Sequence, residues 1–137
     1  MSVASITYHF ATLDHLLTAA LTWAAEDLAA ELHGRGSELG ARPADELARL
    51  IEHSLVRRRG RTLALYELYL YAARRPDLRE AAGAWLEPLT EIARTFTADP
   101  QKAGLLVAAL DGLLMQALIG ARDVDRSDFA TLLQALR

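Results

Sequence analysis

Cysteine is absent from the 137 residues, so the chain has no disulfide, no thiolate metal site and no cysteine nucleophile. An excess of positive charge is missing too. The formal net charge is −3, the wrong sign for a chain that grips nucleic acid by displacing phosphate counterions. No basic, apolar and small-residue leader opens the sequence, and a cytoplasmic protein is expected. The longest apolar run, Gly104 to Ile119, is interrupted by Asp111 and Gln116, which argues against a membrane span. There is no phosphate loop, no Gly-x-Ser-x-Gly elbow and no His-Glu-x-x-His, so an enzyme is not expected. The histidines are scattered without i, i+4 pairing, and neither a metal nor a cofactor is expected. Internal repeats and low-complexity segments are also lacking.

What remains is a chain with 52% hydrophobic and 24% charged residues, enough to build one globular core. Its apolar residues recur at helical spacing almost throughout, which predicts an all-α fold. Thr12 is a candidate N-cap for a long helix over Leu13–Leu32, with Asp14 at the positive end of its dipole. Leu13, Leu16, Leu17, Ala20, Leu21, Ala24, Ala25 and Leu28 form its buried stripe, and Trp23 lies off that stripe. Glycines near His33–Gly36 are expected to close it in left-handed conformation. A loop over Ser37–Arg42 and a helix over Pro43–Arg57 follow, with Leu47, Leu50, Ile51, Ser54 and Leu55 facing inward. The arginines 57, 58, 59 and 61 are read as a solvated cap at that helix's C-terminus.

A helix rich in tyrosine is expected over Thr62–Ala73, ending before Pro76, with Asp77 as cap for the next. Leu78–Thr95 should be helical with a kink or break near Gly83 to Pro88. Large apolar residues at that bend, Trp85 and Leu89 among them, make it the expected wall of a ligand pocket. Asp99 and Pro100 open a helix over Pro100–Ala121. From Leu105 to Ile119 it is apolar nearly all round, so it must be covered on more than one side. The simplest cover is a second copy of the chain, and a symmetric homodimer is expected. Gly104, Ala108 and Gly112 give it a smooth face. Asp111 fits three roles equally: a bond across a dimer, a polar ligand contact, or a rim position. Val124–Arg137 supplies a last helix capped by Asp125 or Ser127.

The first seventeen residues carry more specific information. Ile6-Thr7-Tyr8-His9-Phe10, then Ala11-Thr12, Asp14 and Leu16-Leu17, resemble the end of the helix-turn-helix of TetR/AcrR-family transcriptional regulators. There the recognition helix closes on a Tyr-His-Phe-like element, and an acid and a Leu-Leu pair open the long connecting helix. The sequence departs from the pattern at Leu13, where the family commonly has a polar residue. The order Leu65-Tyr66-Glu67-Leu68-Tyr69-Leu70, then Arg75-Pro76-Asp77-Leu78-Arg79, resembles the middle of the family's ligand-binding domain.

The resemblance implies residues 1–11 as a remnant of the recognition helix, with Thr7, Tyr8 and His9 at DNA-contacting positions, and 12–137 as a ligand-binding and dimerisation domain. With the motif so near the first residue, the two helices that precede the recognition helix in the family are expected to be missing from these 137 residues. Specific operator binding is therefore expected only of a complete protein. The resemblance also implies a ligand-responsive repressor, a small hydrophobic effector and a four-helix dimer interface. The alternative is a dimeric all-helical binding protein with no DNA role. Large or oddly polar residues on interior stretches nominate Trp23, Tyr66, Tyr69, Trp85, Leu89, Asp111 and Met115 as the ligand site. Leu105, Ala108, Leu110, Gly112, Leu113, Leu114, Ala117, Phe129, Leu132, Leu133 and Leu136 are nominated for the dimer interface.

Overall fold

The computed structural model describes residues 12–35 and 41–136, and every regular element among them is helical. Thr7, Tyr8 and His9, the expected recognition-helix remnant, lie outside the described residues, as do Gly36 and most of the expected loop. Helix α1 spans Leu13–Gly34, and its N-cap is Thr12, whose hydroxyl accepts from the His15 N–H at 3.1 Å. Leu21, Ala24, Ala25 and Leu32 are buried, whereas Leu13, expected on the same stripe, is 60% exposed. The glycine cap is not seen at Gly34, which is still helical. Arg35 closes the helix at φ −109°, its N–H bonded to Leu32 O.

Helix α2, Pro43–Glu52, runs directly into a π-helical turn over His53–Arg57. The Arg58 N–H reaches back to His53 O. Helix α3, Arg59–Ala72, starts earlier than expected. Two of the four arginines therefore lie in its first turn, where the dipole disfavours cations. Specific acceptors offset this. Arg61 and Arg58 pair with Asp27 of α1 at 2.5 and 3.1 Å, and Arg59 donates to Leu118 O at 2.7 Å. The basic cluster thus ties α3 to α1 and to the end of a later helix instead of capping α2. Thr62, buried, has its hydroxyl within hydrogen-bond reach of Ser54 O at 2.9 Å and Arg58 O at 3.1 Å, linking α3 to the π turn.

After a 3-10 turn at Pro76–Leu78 come α4, Arg79–Ala84, and α5, Leu86–Arg94. Asp77 makes no capping bond to α4. The expected kink or break falls at Trp85, and it places Pro88 in the first turn of α5. Its missing N–H costs nothing there. Helix α6, Pro100–Leu118, is capped by Asp99, whose carboxylate accepts from the Gln101 and Lys102 N–H groups. It ends on Gly120 at φ 71°, with Gly120 N bonded to Ala117 O and Ala121 N to Gln116 O. This is a Schellman closure, which needs the left-handed conformation that glycine adopts freely. Helix α7, Arg126–Ala135, opens on a capping box made by Asp125 and Asp128.

The main core joins Leu47 and Ile51 of α2, Ala93 of α5, Leu106, Val107 and Leu110 of α6, and Phe129 of α7. A smaller core joins Leu21 of α1 to Ala72, Leu78 and Ala82. α2 packs on α7, α5 on α6, and α1 on both α4 and α5. Leu110 and Phe129, nominated for an interface between copies, are instead buried within one chain. Leu105 is 58% exposed and Ala108 is exposed on the uncovered side of α6. None of the described helices is long and apolar enough to cross a membrane.

Candidate functional site

A cavity of about 100 Å³ lies where α1, α2, the π turn, α3, α5 and α6 converge. Leu28, Glu31 and Leu32 form its α1 wall, spaced so that all three share one helical face. α2 and the π turn contribute Leu47, Leu50, Ile51 and Ser54; α3 contributes Thr62, Leu65 and Tyr66. Trp85, at the helix break, and Leu89 and Ile92 of α5 form another side, with Leu110, Asp111 and Leu114 of α6 closing it. A notch of about 10 Å³ beside it shares Leu65, Tyr66, Trp85 and Asp111 and adds Tyr69.

The polar chemistry is concentrated in two places. The Tyr66 hydroxyl donates to Asp111 Oδ1 at 2.8 Å. Burial, and then the Asp111 charge, pushes the Tyr66 hydroxyl far above its ordinary value, so it remains a donor. Burial also pushes the Asp111 carboxyl up, with the Tyr66 hydrogen bond pulling the other way. Glu31 sits between two arginines, Arg58 at 3.6 Å and Arg35 at 3.8 Å, and the His53 ring lies at 3.9 Å. Nearby Asp27 is held below the usual carboxylate range, first by its hydrogen bond from Arg61. No group of three potential metal ligands occurs among the described residues.

The raised Asp111 value has a consequence for stability. The folded chain binds this proton more tightly than the unfolded chain does. The resulting stabilisation is complete below the unfolded carboxyl value, about 3.9, and is lost as pH rises through the higher folded value. At neutral pH Asp111 is therefore a cost. Asp111→Asn, whose amide oxygen still accepts from Tyr66, is expected to raise the melting temperature by a few degrees at neutral pH. The gain should shrink toward zero in acid. Melting curves at both pH values check this, and an equal gain at each would refute the burial account.

Tyr66, Trp85, Leu89 and Asp111, nominated from the sequence, all meet at the cavity, and Tyr69 lies in the notch. Trp23 does not. It is 58% exposed, with the Arg61 guanidinium 4.9 Å from its ring centre. Met115 lines neither space. Glu31, Ser54 and Thr62 were not nominated. The one signal for Glu31 was its i+3 spacing from Leu28.

A second concavity is a shallow surface groove between α6 and α7, about 510 Å³ and open to solvent. Gly112, Leu113 and Leu132 lie along it, with Arg122 and Asp128 at its rim. Leu114, one residue on, faces the cavity instead. Leu133 lines a separate groove against the start of α2. Leu136 packs, part-buried, on the main core, and Ala117 is part-buried.

The family model described as "Tetracyclin repressor-like, C-terminal domain" matches residues 40–137. Three crystal structures of the multidrug binding protein EbrR resemble the whole chain. The complex with ethidium has 38% sequence identity and a TM-score of 0.81, covering 100% of this chain and 80% of that one. The complex with imidazole has 37% identity and a TM-score of 0.79, covering 99% and 76%. The complex with proflavin has 38% identity and a TM-score of 0.76, covering 97% and 79%. Comparison with curated proteins gives no match.

Proposed function

The chain belongs to the TetR family, whose members are transcription regulators and not enzymes, and on that premise we propose that it is a ligand-responsive regulator whose effector is a flat aromatic molecule. The effector enters the cavity between α1 and α6. The observation that carries this reading is the cavity itself: two aromatic side chains, Tyr66 and Trp85, and a ring of leucines around few polar groups. That is the make-up of a small-molecule site. Ethidium and proflavin, bound by the similar protein EbrR, are flat fused-ring molecules suited to such walls.

The space of about 100 Å³ is below the ~300 Å³ at which drug-sized sites begin. Loading must therefore displace a wall. Trp85 sits at a break between two short helices, and α1 contributes a wall through Leu28, Glu31 and Leu32. Displacement of α1 is the motion that, in a complete protein with its helix-turn-helix head, alters operator binding and relieves repression. Ligand and operator affinities are then linked reciprocally. The working unit in this reading is a homodimer joined through the α6–α7 groove and the uncovered Leu105 face.

Calorimetric titration with proflavin tests the pocket. One saturable site per chain is expected, and Trp85→Ala should weaken binding by about tenfold or more through lost stacking. Failure of both proflavin and ethidium to bind, or an unchanged affinity in the Trp85 variant, would remove the cavity from the mechanism.

A further inference from the structure

We infer that Asp111 selects the charge of the ligand, so that the cavity takes flat aromatic cations in preference to neutral molecules of the same shape, and that Glu31 has no part in this selection. The inference rests on the pocket reading above and deepens it. Both carboxylates line the cavity, but their surroundings differ. Glu31 has two arginines at pairing distance, Arg58 at 3.6 Å and Arg35 at 3.8 Å, with the His53 ring at 3.9 Å. Its charge is already answered. Among the described residues Asp111 pairs with no cation. Its one hydrogen bond comes from the neutral Tyr66 hydroxyl at 2.8 Å.

The arginines at the start of α3 cannot serve it while they hold Asp27 and Leu118 O. The side chains beside it on α6, Leu110 and Leu114, are apolar. A carboxylate so placed carries an uncompensated charge in a medium that screens poorly, and an entering cation gains from it what a neutral ligand does not. The Tyr66 ring adds a π face that favours the same sign. Ethidium and proflavin share a positive charge spread over fused rings, which is the chemistry this corner accepts.

Proflavin and acridine separate the contributions, since acridine has the same fused rings and is uncharged at mildly alkaline pH. The unaltered chain should bind proflavin more tightly. Asp111→Asn should lose about 10- to 100-fold in proflavin affinity, the scale of a hydrogen bond to a charged group, while acridine affinity changes by less than about threefold. Glu31→Gln should move both ligands by the same factor. Retained acridine binding shows that the Asn variant is folded, and Asp111→Ser gives the same reading if that variant loses its helical circular dichroism. A proflavin-to-acridine ratio unchanged by loss of the Asp111 carboxylate, or abolished by Glu31→Gln, overturns the inference and leaves the pocket standing. If the unaltered chain binds neither dye, pocket and inference fall together.

Discussion

Phe129→Ala is expected to cost about 3–5 kcal/mol of folding stability, the range for truncating a buried aromatic. Phe129 is 0% exposed and is the one buried residue of α7 among those described. It joins the main core beside α2 and α6 residues. Truncation removes the transfer energy of the ring and leaves a hole that close-packed neighbours fill only in part. α7 has ten residues, too few to persist as an isolated helix. Its docking therefore depends on this anchor more than on its own hydrogen bonds. With total stability commonly about 5–15 kcal/mol, the variant should melt roughly 10–20 °C lower, and amide exchange should show α7 opening first. A fall of only a degree or two would mean that the ring is not the anchor its burial implies.

Leu113→Glu should abolish association while leaving the chain folded. Leu113 is part-buried on the α6–α7 groove, so a glutamate there reaches solvent in a lone chain. In a symmetric pair the change occurs twice. At about 2 kcal/mol per copy for a central contact, the dissociation constant should rise by about a thousandfold. Sedimentation equilibrium would show monomers at micromolar concentration, with unchanged helical circular dichroism. Leu114→Glu is the informative neighbour. Its side chain faces the cavity, so it should impair ligand binding and stability before it touches association. Two variants with equal effects on association would mean that the groove is not the interface.

The fold was legible at several positions where a residue type has one mechanical job, though not at Asp77 or Gly34. Thr12, Asp99 with Pro100, and Asp125 mark helix starts by their side-chain acceptors, and the structure uses each as expected. The π turn was not legible. His53–Arg57 has neither glycine nor proline, and nothing in the periodicity separates an i→i+5 bonded turn from an i→i+4 one. The α7 stripe shows a deeper limit. Phe129 and Leu132 sit three residues apart and belong to one apolar face by spacing, yet Phe129 is fully buried while Leu132, part-buried against the same core, also borders a surface groove. Periodicity says that a face is covered, and it does not say by which chain. The cavity was half legible for the same reason. Large residues on α3, at the helix break and on α6 announced themselves, while Glu31 resembled an ordinary surface acid until α1 was placed against the cavity.

The two tryptophans divide the molecule's ultraviolet emission between an exposed source and a part-buried one. Trp85 borders the cavity, while Trp23 is 58% exposed beneath the Arg61 guanidinium. Replacing Trp23 with phenylalanine would silence the outer fluorophore, and excitation to the red of tyrosine absorption would leave Trp85 as the single emitter. Occupancy, quenching by an absorbing dye and the polarity of the empty site could then all be read from a single wavelength in a chain without any attached label.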